Sequence, residues 1–225
     1  MDATQSILGK KPMAKRKIAR WLFGIGVSLM LVGGCWAVGN SVWCSTRTWT
    51  PVDTPLALTV GHRETPEFTV NVAENFAIDL TVDRSVPRDL MTDVLGIGDP
   101  LSSQRGERSG FRLAWTVEGG GRVVKNGISD GKDEGYWGSK TGRRLGYFPA
   151  DKGKLYKVKI DILEDGTKLA PYHPCLKVGV DMFRMDGYYI ETAGMQIIGG
   201  GIAVVGCLFF IAALVRWRTP RGEVA

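Results

Sequence analysis

Residues 194–215 read GMQIIGGGIAVVGCLFFIAALV, and this stretch decides the fold. It belongs to a run without charged side chains that extends from residue 192 to residue 215. About 20 consecutive apolar residues are enough for a helix to cross the hydrocarbon core of a bilayer. We therefore predict a transmembrane helix over residues 191–215, which argues against a soluble cytoplasmic enzyme.

A second uncharged run lies near the N-terminus, where residues 21–43 read WLFGIGVSLMLVGGCWAVGNSVW. Its ends carry Trp21 and Trp43, and indole rings prefer the headgroup level of a membrane. Its glycines make this run less apolar than the run over residues 192–215. It predicts another transmembrane helix, over residues 21–43, which would be an uncleaved signal anchor.

Two other interpretations of residues 21–43 remain open. The tetrapeptide VGGC that ends at Cys35 resembles the lipobox of bacterial lipoprotein signal peptides, and this resemblance implies lipidation of Cys35 after cleavage. Residues 37–39, AVG, would suit an ordinary signal peptidase. The apolar character continues past Cys35 and the preceding basic segment is long, and both features favour the anchor.

The excess positive charge of the chain borders the two apolar runs. The whole sequence has 29 Lys and Arg against 23 Asp and Glu, whereas the segment between the runs is nearly neutral. Basic residues beside a membrane span stay on the cytoplasmic side. We expect residues 1–20 and 216–225 to be cytoplasmic tails and residues 44–190 to lie outside. The bilayer, and not nucleic acid, is then the partner of the basic tails.

The segment outside the membrane alternates apolar and polar residues with the period of a β-strand. The pattern is strong over residues 76–82, 111–117, 156–162 and 176–182, and weaker over 57–60, 68–72, 122–125 and 145–148. Residues 87–95 instead predict one short helix. The sequence therefore predicts two transmembrane α-helices flanking a mainly-β extracytoplasmic domain, an antiparallel β-sandwich of immunoglobulin-like or jelly-roll-like type.

The six residues DKGKLY that end at Tyr156 resemble the corner of immunoglobulin-like and fibronectin-like sandwiches. In such corners a tyrosine near a strand start ties the preceding turn to the strand. The Gly-to-Tyr spacing here is one residue longer than the usual immunoglobulin pattern. The resemblance implies a sandwich with Tyr156 as the tie.

The four cysteines divide by predicted depth. Cys35 and Cys207 lie in the spans, whereas Cys44 and Cys175 lie outside, where an oxidising compartment would permit a disulfide between them. The alternative is two thiols. Cys44 lies directly beside the predicted N-terminal span, whereas Cys175 begins a strand and would lie far from the membrane if that strand runs toward it.

Small residues recur every four positions in the predicted C-terminal span, at Gly199, Ala203 and Cys207. They share one helix face, and small side chains let another backbone approach closely. We expect this face to contact the N-terminal span, residues 21–43, or else a membrane-protein partner or a second copy of the chain.

Residues 127–131, GISDG, satisfy the G-x-S-x-G pattern of a nucleophilic serine, and Asp161 and His173 follow in the order of the α/β-hydrolases. That motif needs a helix directly after the serine. Here GKDEGYWGSKTG follows, so we predict a solvated hairpin loop and no catalytic residue. His62 and His173 lack neighbouring ligands at zinc spacing, and we expect no metal and no cofactor.

The preferred site is a loop over residues 126–144 that contains Tyr136, Trp137, Arg143 and Arg144. Aromatic and guanidinium groups are enriched at binding hot spots. In the alternative, Tyr136 and Trp137 cover the open end of the sandwich.

Together these features predict a non-enzymatic protein-interaction or ligand-binding module of a membrane complex. The alternatives are a membrane-tethered hydrolase and an accessory sensor subunit that signals through a partner, since the tails are too short for an output domain. No N-x-S/T sequon occurs, which favours a bacterial inner membrane over a eukaryotic secretory route.

Overall fold

The computed structural model describes residues 12–97, 111–130, 135–137 and 140–218. Its three α-helices in this part of the chain are α1 Pro12–Arg47, α2 Arg88–Asp93 and α3 Met182–Arg218, and a 3₁₀ helix covers Thr167–Tyr172. The strands are β1 Val52–Pro55, β2 Gly61–Glu64, β3 Phe68–Thr69, β4 Glu74–Asp83, β5 Leu113–Gly119, β6 Arg122–Ser129, β7 Gly135–Trp137, β8 Lys140–Ala150, β9 Leu155–Ile162 and β10 Cys175–Val180.

The chain divides into two compact units. One unit, the helix pair, contains α1 up to Cys44 and α3 from Tyr189 onward. The other unit, the β domain, covers Ser45–Tyr188. Both long helices are long and apolar enough to cross a membrane. The predicted arrangement of two apolar helices flanking a mainly antiparallel β region is therefore confirmed at this level.

The helices of the helix pair approach each other where side chains are absent. A Cβ atom placed on Gly33 would lie 2.6 Å from the carbonyl oxygen of Gly199 and 2.8 Å from the backbone nitrogen of Ala203. One placed on Gly26 would lie 2.8 Å from the carbonyl oxygen of Gly206. Since real Cβ atoms do not come so close to backbone, glycine is required at these contacts.

Polar side chains link the two helices beside the glycine contacts. Trp36 Nε1 donates to the Met195 carbonyl oxygen at 3.1 Å, and Asn40 Nδ2 donates to the Thr192 carbonyl oxygen at 2.9 Å. Such bonds satisfy polar groups that would otherwise lie in an apolar environment.

The β domain consists of two antiparallel sheets. Sheet A has the strand order β1-β10-β4-β8-β7, and sheet B has the order β2-β9-β5-β6 with β3 also paired to β9. The apolar faces of the two sheets pack together, as the rings of Phe148 in β8 and Tyr156 in β9 show with centroids 5.5 Å apart. Trp115 of β5 lies in the same core, against Gly127 and Gly146.

The four strong alternating patterns are confirmed as β4, β5, β9 and β10, and the short helix is confirmed as α2. The expected strand at residues 57–60 is wrong. These residues connect β1 of sheet A to β2 of sheet B, so they bury Leu58 as a connection and not as a strand.

The tyrosine at the predicted corner occupies the tying position. The Tyr156 hydroxyl accepts a hydrogen bond of 2.7 Å from the backbone N–H of Asp151, five residues earlier. The Tyr156 ring is buried. The turn between β8 and β9 is therefore fastened to the core through this side chain.

Candidate functional site: a buried arginine cluster in the β domain

The loop expected over residues 126–144 is wrong, because β6 extends to Ser129 and β8 begins at Lys140. Two of the predicted site residues, Arg143 and Arg144, lie inside β8 and are buried. They are neighbours in a strand, so their side chains leave on opposite faces of sheet A. Arg144, which faces outward, is the centre of a polar cluster.

Arg144 joins three elements through one guanidinium group. Its Nε donates to Oδ1 of Asp79 in β4 at 3.1 Å, and its Nη1 donates to Oδ1 of Asp181 at 3.1 Å. Nη1 also donates to the hydroxyl of Tyr147. The Arg144 side chain is only 5% exposed. It therefore fastens β4, β8 and the residue directly before α3.

Two aromatic rings flank the same guanidinium group. The carbon at its centre lies 4.8 Å from the ring centroid of Tyr147 and 5.9 Å from that of Tyr136. The Tyr136 hydroxyl donates to Oδ2 of Asp79 at 3.3 Å. We refer to Asp79, Tyr136, Arg144, Tyr147 and Asp181 as the Arg144 cluster.

Charges of alternating sign continue from this cluster across sheet A. The register pairs Asp53 of β1 with Lys177 of β10, Lys177 with Asp79 of β4, and Asp79 with Arg144 of β8. Opposite charges on directly paired residues stabilise neighbouring strands. The cluster is thus one end of a charge ladder that crosses four strands.

Burial controls the protonation of the cluster. It raises the pKa of the Asp79 carboxyl, although the charge and hydrogen bond of Arg144 lower that pKa. Burial together with the charge of Asp79 raises the pKa of the Tyr136 hydroxyl far above its ordinary value. For Arg144, burial lowers the pKa, but the charge and hydrogen bond of Asp79 outweigh it and raise the pKa overall. Tyr136 therefore remains a neutral donor and Arg144 remains a cation.

Arg143 faces the core and is fully buried. Its guanidinium nitrogens donate to the carbonyl oxygens of Leu95 and Phe111 at 3.3 Å. The group also lies over the Phe111 ring, 5.3 Å from the centroid. Arg143 therefore holds the segment after α2 to the segment before β5, which corrects its expected place on a binding loop.

The other predicted site residues of this region have different positions. Tyr136 is half-buried in β7, with its ring over Gly142. Trp137 pairs with Thr141 through the backbone, and its side chain lies outside the described part of the structure. Sequence reasoning therefore found two members of the cluster and missed Asp79, Tyr147 and Asp181.

One signal for Asp79 exists in the sequence, since it is the only charged residue in the run FAIDLTV. The alternation assigned it to a solvated face. The face is instead covered, and Asp79 is buried.

The hydrolase residues do not form a triad. Ser129 is fully buried at the end of β6 and not exposed on a hairpin loop, which corrects the loop expectation. Asp161 pairs with His62 at 2.7 Å, and His173 pairs with Asp83 at 2.7 Å. Among the described residues, no group of three His, Cys, Asp or Glu side chains is placed to hold a metal ion.

The cysteines are thiols in the structure. The Cys44–Cys175 disulfide, one of the two alternatives left open by the sequence, is not formed in the structure, and Cys175 Sγ lies 3.4 Å from the His173 carbonyl oxygen. Cys35, the candidate for lipidation, is an exposed residue within α1.

The small-residue face of α3 meets α1. Gly199 and Ala203 lie against Gly33, and Cys207 Sγ lies 3.4 Å from Sδ of Met30. Gly206 of α3 and Gly26 of α1 form a further close contact, which was not predicted from the sequence.

An exposed surface lies on β6, the last strand of sheet B. Ile128 is 61% exposed although it belongs to a strand, and Lys125 and Asn126 beside it are exposed as well. Among the described strands, β6 pairs only with β5, so its other edge presents backbone groups.

Comparisons with known proteins give no family. No family model and no curated protein matches the sequence. A protein of Sulfurospirillum deleyianum has a crystal structure that matches with a TM-score of 0.42 at 13% identity, over 59% of this chain and 98% of its own. The insecticidal delta-endotoxin Cry8Ea1 of Bacillus thuringiensis matches with a TM-score of 0.25 at 10% identity, over 53% of this chain and 18% of the toxin. At these scores neither similarity identifies a family or a function for the chain.

Proposed function

We propose that this chain is an integral protein of the bacterial inner membrane that displays a β-sandwich for binding a partner protein of a membrane complex. In this proposal α1 and α3 both cross the bilayer, both termini are cytoplasmic and residues 44–190 lie outside. The module is not an enzyme and uses no cofactor. Whether the sandwich is immunoglobulin-like or jelly-roll-like does not affect the proposal.

The exposed edge of β6 is the observation that carries the binding function. An edge strand with exposed backbone groups is able to accept an additional strand from a partner, and a large apolar side chain beside it adds contact area. Ile128 supplies that side chain, and Asn126 supplies polar groups. The other edge strands of the described sheets, β1, β2, β3 and β7, are only two to four residues long.

The Arg144 cluster supports this assignment in a structural role. Its two carboxylates, its cation and its phenols bond to one another, so the cluster stiffens sheet A. Tyr136 of β7 is one of its members, and β7 directly follows β6 along the chain. The cluster is therefore a support for the binding side of the domain and not its contact surface.

The hydrolase alternative loses its main argument because Ser129 is buried and Asp161 and His173 have other partners. The sensor alternative retains one observation, the bond from Arg144 to Asp181 directly before α3. That bond gives a path by which a change in sheet A would reach the start of the helix.

Site-specific photocrosslinking in cells tests the binding surface. A photoreactive amino acid at Ile128 of the full-length chain should give a defined crosslinked protein, and Asn126→Lys in the same chain should abolish it. Leu163 is a matched control, because it is also apolar and 45% exposed but lies outside the strands. Equal crosslinking from both positions would contradict a site on β6.

Topology is tested separately. Reporters fused at the two termini should both behave as cytoplasmic. An impermeant thiol reagent should label Lys168→Cys in a background in which the native cysteines are serines, since Lys168 is exposed in the β domain. A terminus found outside would overturn the proposed orientation.

A further inference from the structure

Two tight turns of the β domain lie side by side. One joins β5 to β6 through Gly120 and Gly121, and the other joins β8 to β9 through residues 151–154. The backbone N–H of Gly120 donates to the carbonyl oxygen of Leu155 at 3.3 Å, so the turns are in direct contact. We call residues 119–125 and 150–156 together the basic turns.

The basic turns lie at the end of the β domain from which the chain continues into α3. The register pairs Glu74 with Ala150 and Phe76 with Val180, which places the end of β8 and the end of β10 at the same end of sheet A. β9 starts five residues after Ala150, and Gly119 pairs with Tyr156. Only residues 182–190 separate this end from the predicted span.

The basic turns carry more positive charge than the rest of the β domain. They contain four basic residues and a single acidic one, although the whole segment between the apolar runs is nearly neutral. The basic residues, which are all exposed, are Arg122, Lys125, Lys152 and Lys154. The acidic residue, Asp151, has its carboxylate 3.7 Å from the ammonium group of Lys154.

Exposed apolar side chains accompany these cations. Val123 is 59% exposed and Leu155 is 51% exposed. Basic groups beside exposed apolar side chains are the combination that binds an anionic bilayer surface, since the cations meet the headgroups and the apolar groups enter the interface.

We propose that the basic turns bind anionic phospholipid headgroups of the same membrane that α1 and α3 span. This inference rests on the proposed membrane insertion of the two helices. The bilayer is the occupant that fits, because only residues 182–190 of the chain separate this end of sheet A from the proposed span of α3, and the patch is both cationic and apolar. Lipid contact at this end would leave the β6 edge near Ile128 available for a protein partner.

Hydrogen–deuterium exchange of the full-length chain in lipid nanodiscs tests the proposal. The discs contain either phosphatidylcholine alone or phosphatidylcholine with about one third phosphatidylglycerol. Amides of residues 119–125 and 150–156 should exchange severalfold more slowly in the anionic discs. The difference should vanish at 0.5 M salt, where charges are screened within a few ångströms.

Charge reversal supplies the decisive comparison. The variant R122E/K152E/K154E should lose the lipid-dependent protection, and Leu155→Ser should reduce it. The variant R84E/R88E/K168E changes the net charge equally with residues that are also exposed, at the other end of the β domain, and should keep the protection. Equal exchange in the two lipids, or protection that survives R122E/K152E/K154E, would overturn the inference. Protection that appears only when an acidic protein is added would also overturn it.

The same data separate this inference from the proposed function. If amides of α1 and α3 are strongly protected while the turns ignore lipid charge, only the lipid contact fails. If the helices themselves exchange freely in the discs, the membrane insertion fails as well.

Discussion

The helix pair and the β domain are stabilised by opposite uses of side chains. α1 and α3 meet where Gly33 and Gly26 leave no side chain, so that backbone atoms pack directly. The β domain instead encloses large and charged groups, among them Trp115, Arg143 and Arg144. In an apolar solvent, close packing replaces the hydrophobic effect as the main attraction. In water, hydrogen bonds compensate a buried polar group for its lost hydration, and the Arg144 guanidinium group has such bonds to Asp79 and Asp181.

The two adjacent arginines repeat this contrast within a single strand. Arg143 bonds to the backbone carbonyl oxygens of Leu95 and Phe111 in the core. Arg144 bonds to two carboxylates on the other face. Arg143 therefore joins two backbone segments in the core, and Arg144 joins two carboxylates on the opposite face.

The largest effect that we expect is complete loss of the helix contact in Gly33→Leu, because even its Cβ atom would meet backbone of α3. The readout is a disulfide between Met30→Cys and the native Cys207, because Sδ of the native Met30 lies 3.4 Å from Sγ of Cys207 and the two positions therefore face each other. The other native cysteines are replaced by serine. Oxidation should crosslink the parent variant nearly completely and the Gly33→Leu form hardly at all.

Gly34 is the matched control for that experiment. A Cβ atom on Gly34 meets nothing within 4 Å, so Gly34→Leu should leave the crosslink unchanged. A crosslink that persists in Gly33→Leu would show that the glycine contact is dispensable.

The next effect is Arg144→Ala, which leaves the carboxylates of Asp79 and Asp181 without their shared cation. Removing one partner of a buried ion pair lowers the free energy of unfolding by about 4 kcal/mol. Native-state hydrogen exchange of β4 in the full-length protein should accelerate about a thousandfold. Arg112→Ala, at an exposed pair with Glu164, should change it little.

Acidic pH should reduce the loss caused by Arg144→Ala. Burial raises the pKa of Asp79 above 3.8, and the variant removes the Arg144 charge and hydrogen bond that lower it. A carboxyl whose folded pKa exceeds its unfolded pKa is destabilising when ionised, and this penalty disappears as the pH falls through the folded pKa toward 3.8. After correction for intrinsic exchange rates, the gap between variant and parent should be smaller at pH 4.5 than at pH 7. A constant gap would show that lost packing, not charge, dominates.

The helix pair and the β domain also differ in how well their structures are predicted from the sequence. The apolar runs predict both long helices, because length and composition alone define a candidate span. The alternation of apolar and polar residues also predicts β4, β5, β9 and β10, since each of these strands has one face in the core. The small-residue face of α3 was visible for the same reason, because its period of four is local.

Only residues 145–148 of strand β8 were predicted as a strand, and a bulge explains why the first half of β8 was missed. Ile78 pairs with Gly146 and Asp79 pairs with Arg144, so Leu145 has no partner in β4. The alternation changes phase at this point, which places Arg143 on the core side. Two consecutive arginines in a broken pattern are typical of an exposed loop, and their partners, Asp79 and Asp181, are distant in sequence. Only the register of the sheet brings them together.

A smaller effect is expected for Gly146→Ala, which tests whether close packing by glycine also operates in the β domain. Its Cβ atom would overlap the Trp115 ring, and that ring cannot retreat because it also lies against Gly127. Overpacking of this kind costs about 2 kcal/mol, which corresponds to about thirtyfold faster exchange of β4. Gly179→Ala is the control in the same sheet, because its Cβ atom would have ordinary contacts beginning at 3.5 Å. Similar losses in both variants would count against the role of the Trp115 ring.

The smallest effect concerns Tyr156→Phe, which keeps the buried ring and removes only the hydroxyl that accepts from the Asp151 N–H. The ring contact with Phe148 between the two sheets should remain, so the loss measures the turn fastening alone. A single hydrogen bond to an N–H that water can reach contributes about 1 kcal/mol, or about fivefold in exchange rate. The acceleration should be larger for amides of residues 151–156 than for β4, because the turn is released locally before the domain unfolds. Tyr189→Phe, at a tyrosine that is 52% exposed, should leave both rates unchanged. Uniform acceleration across the whole β domain would instead mean that the Tyr156 hydroxyl supports the core and not the turn.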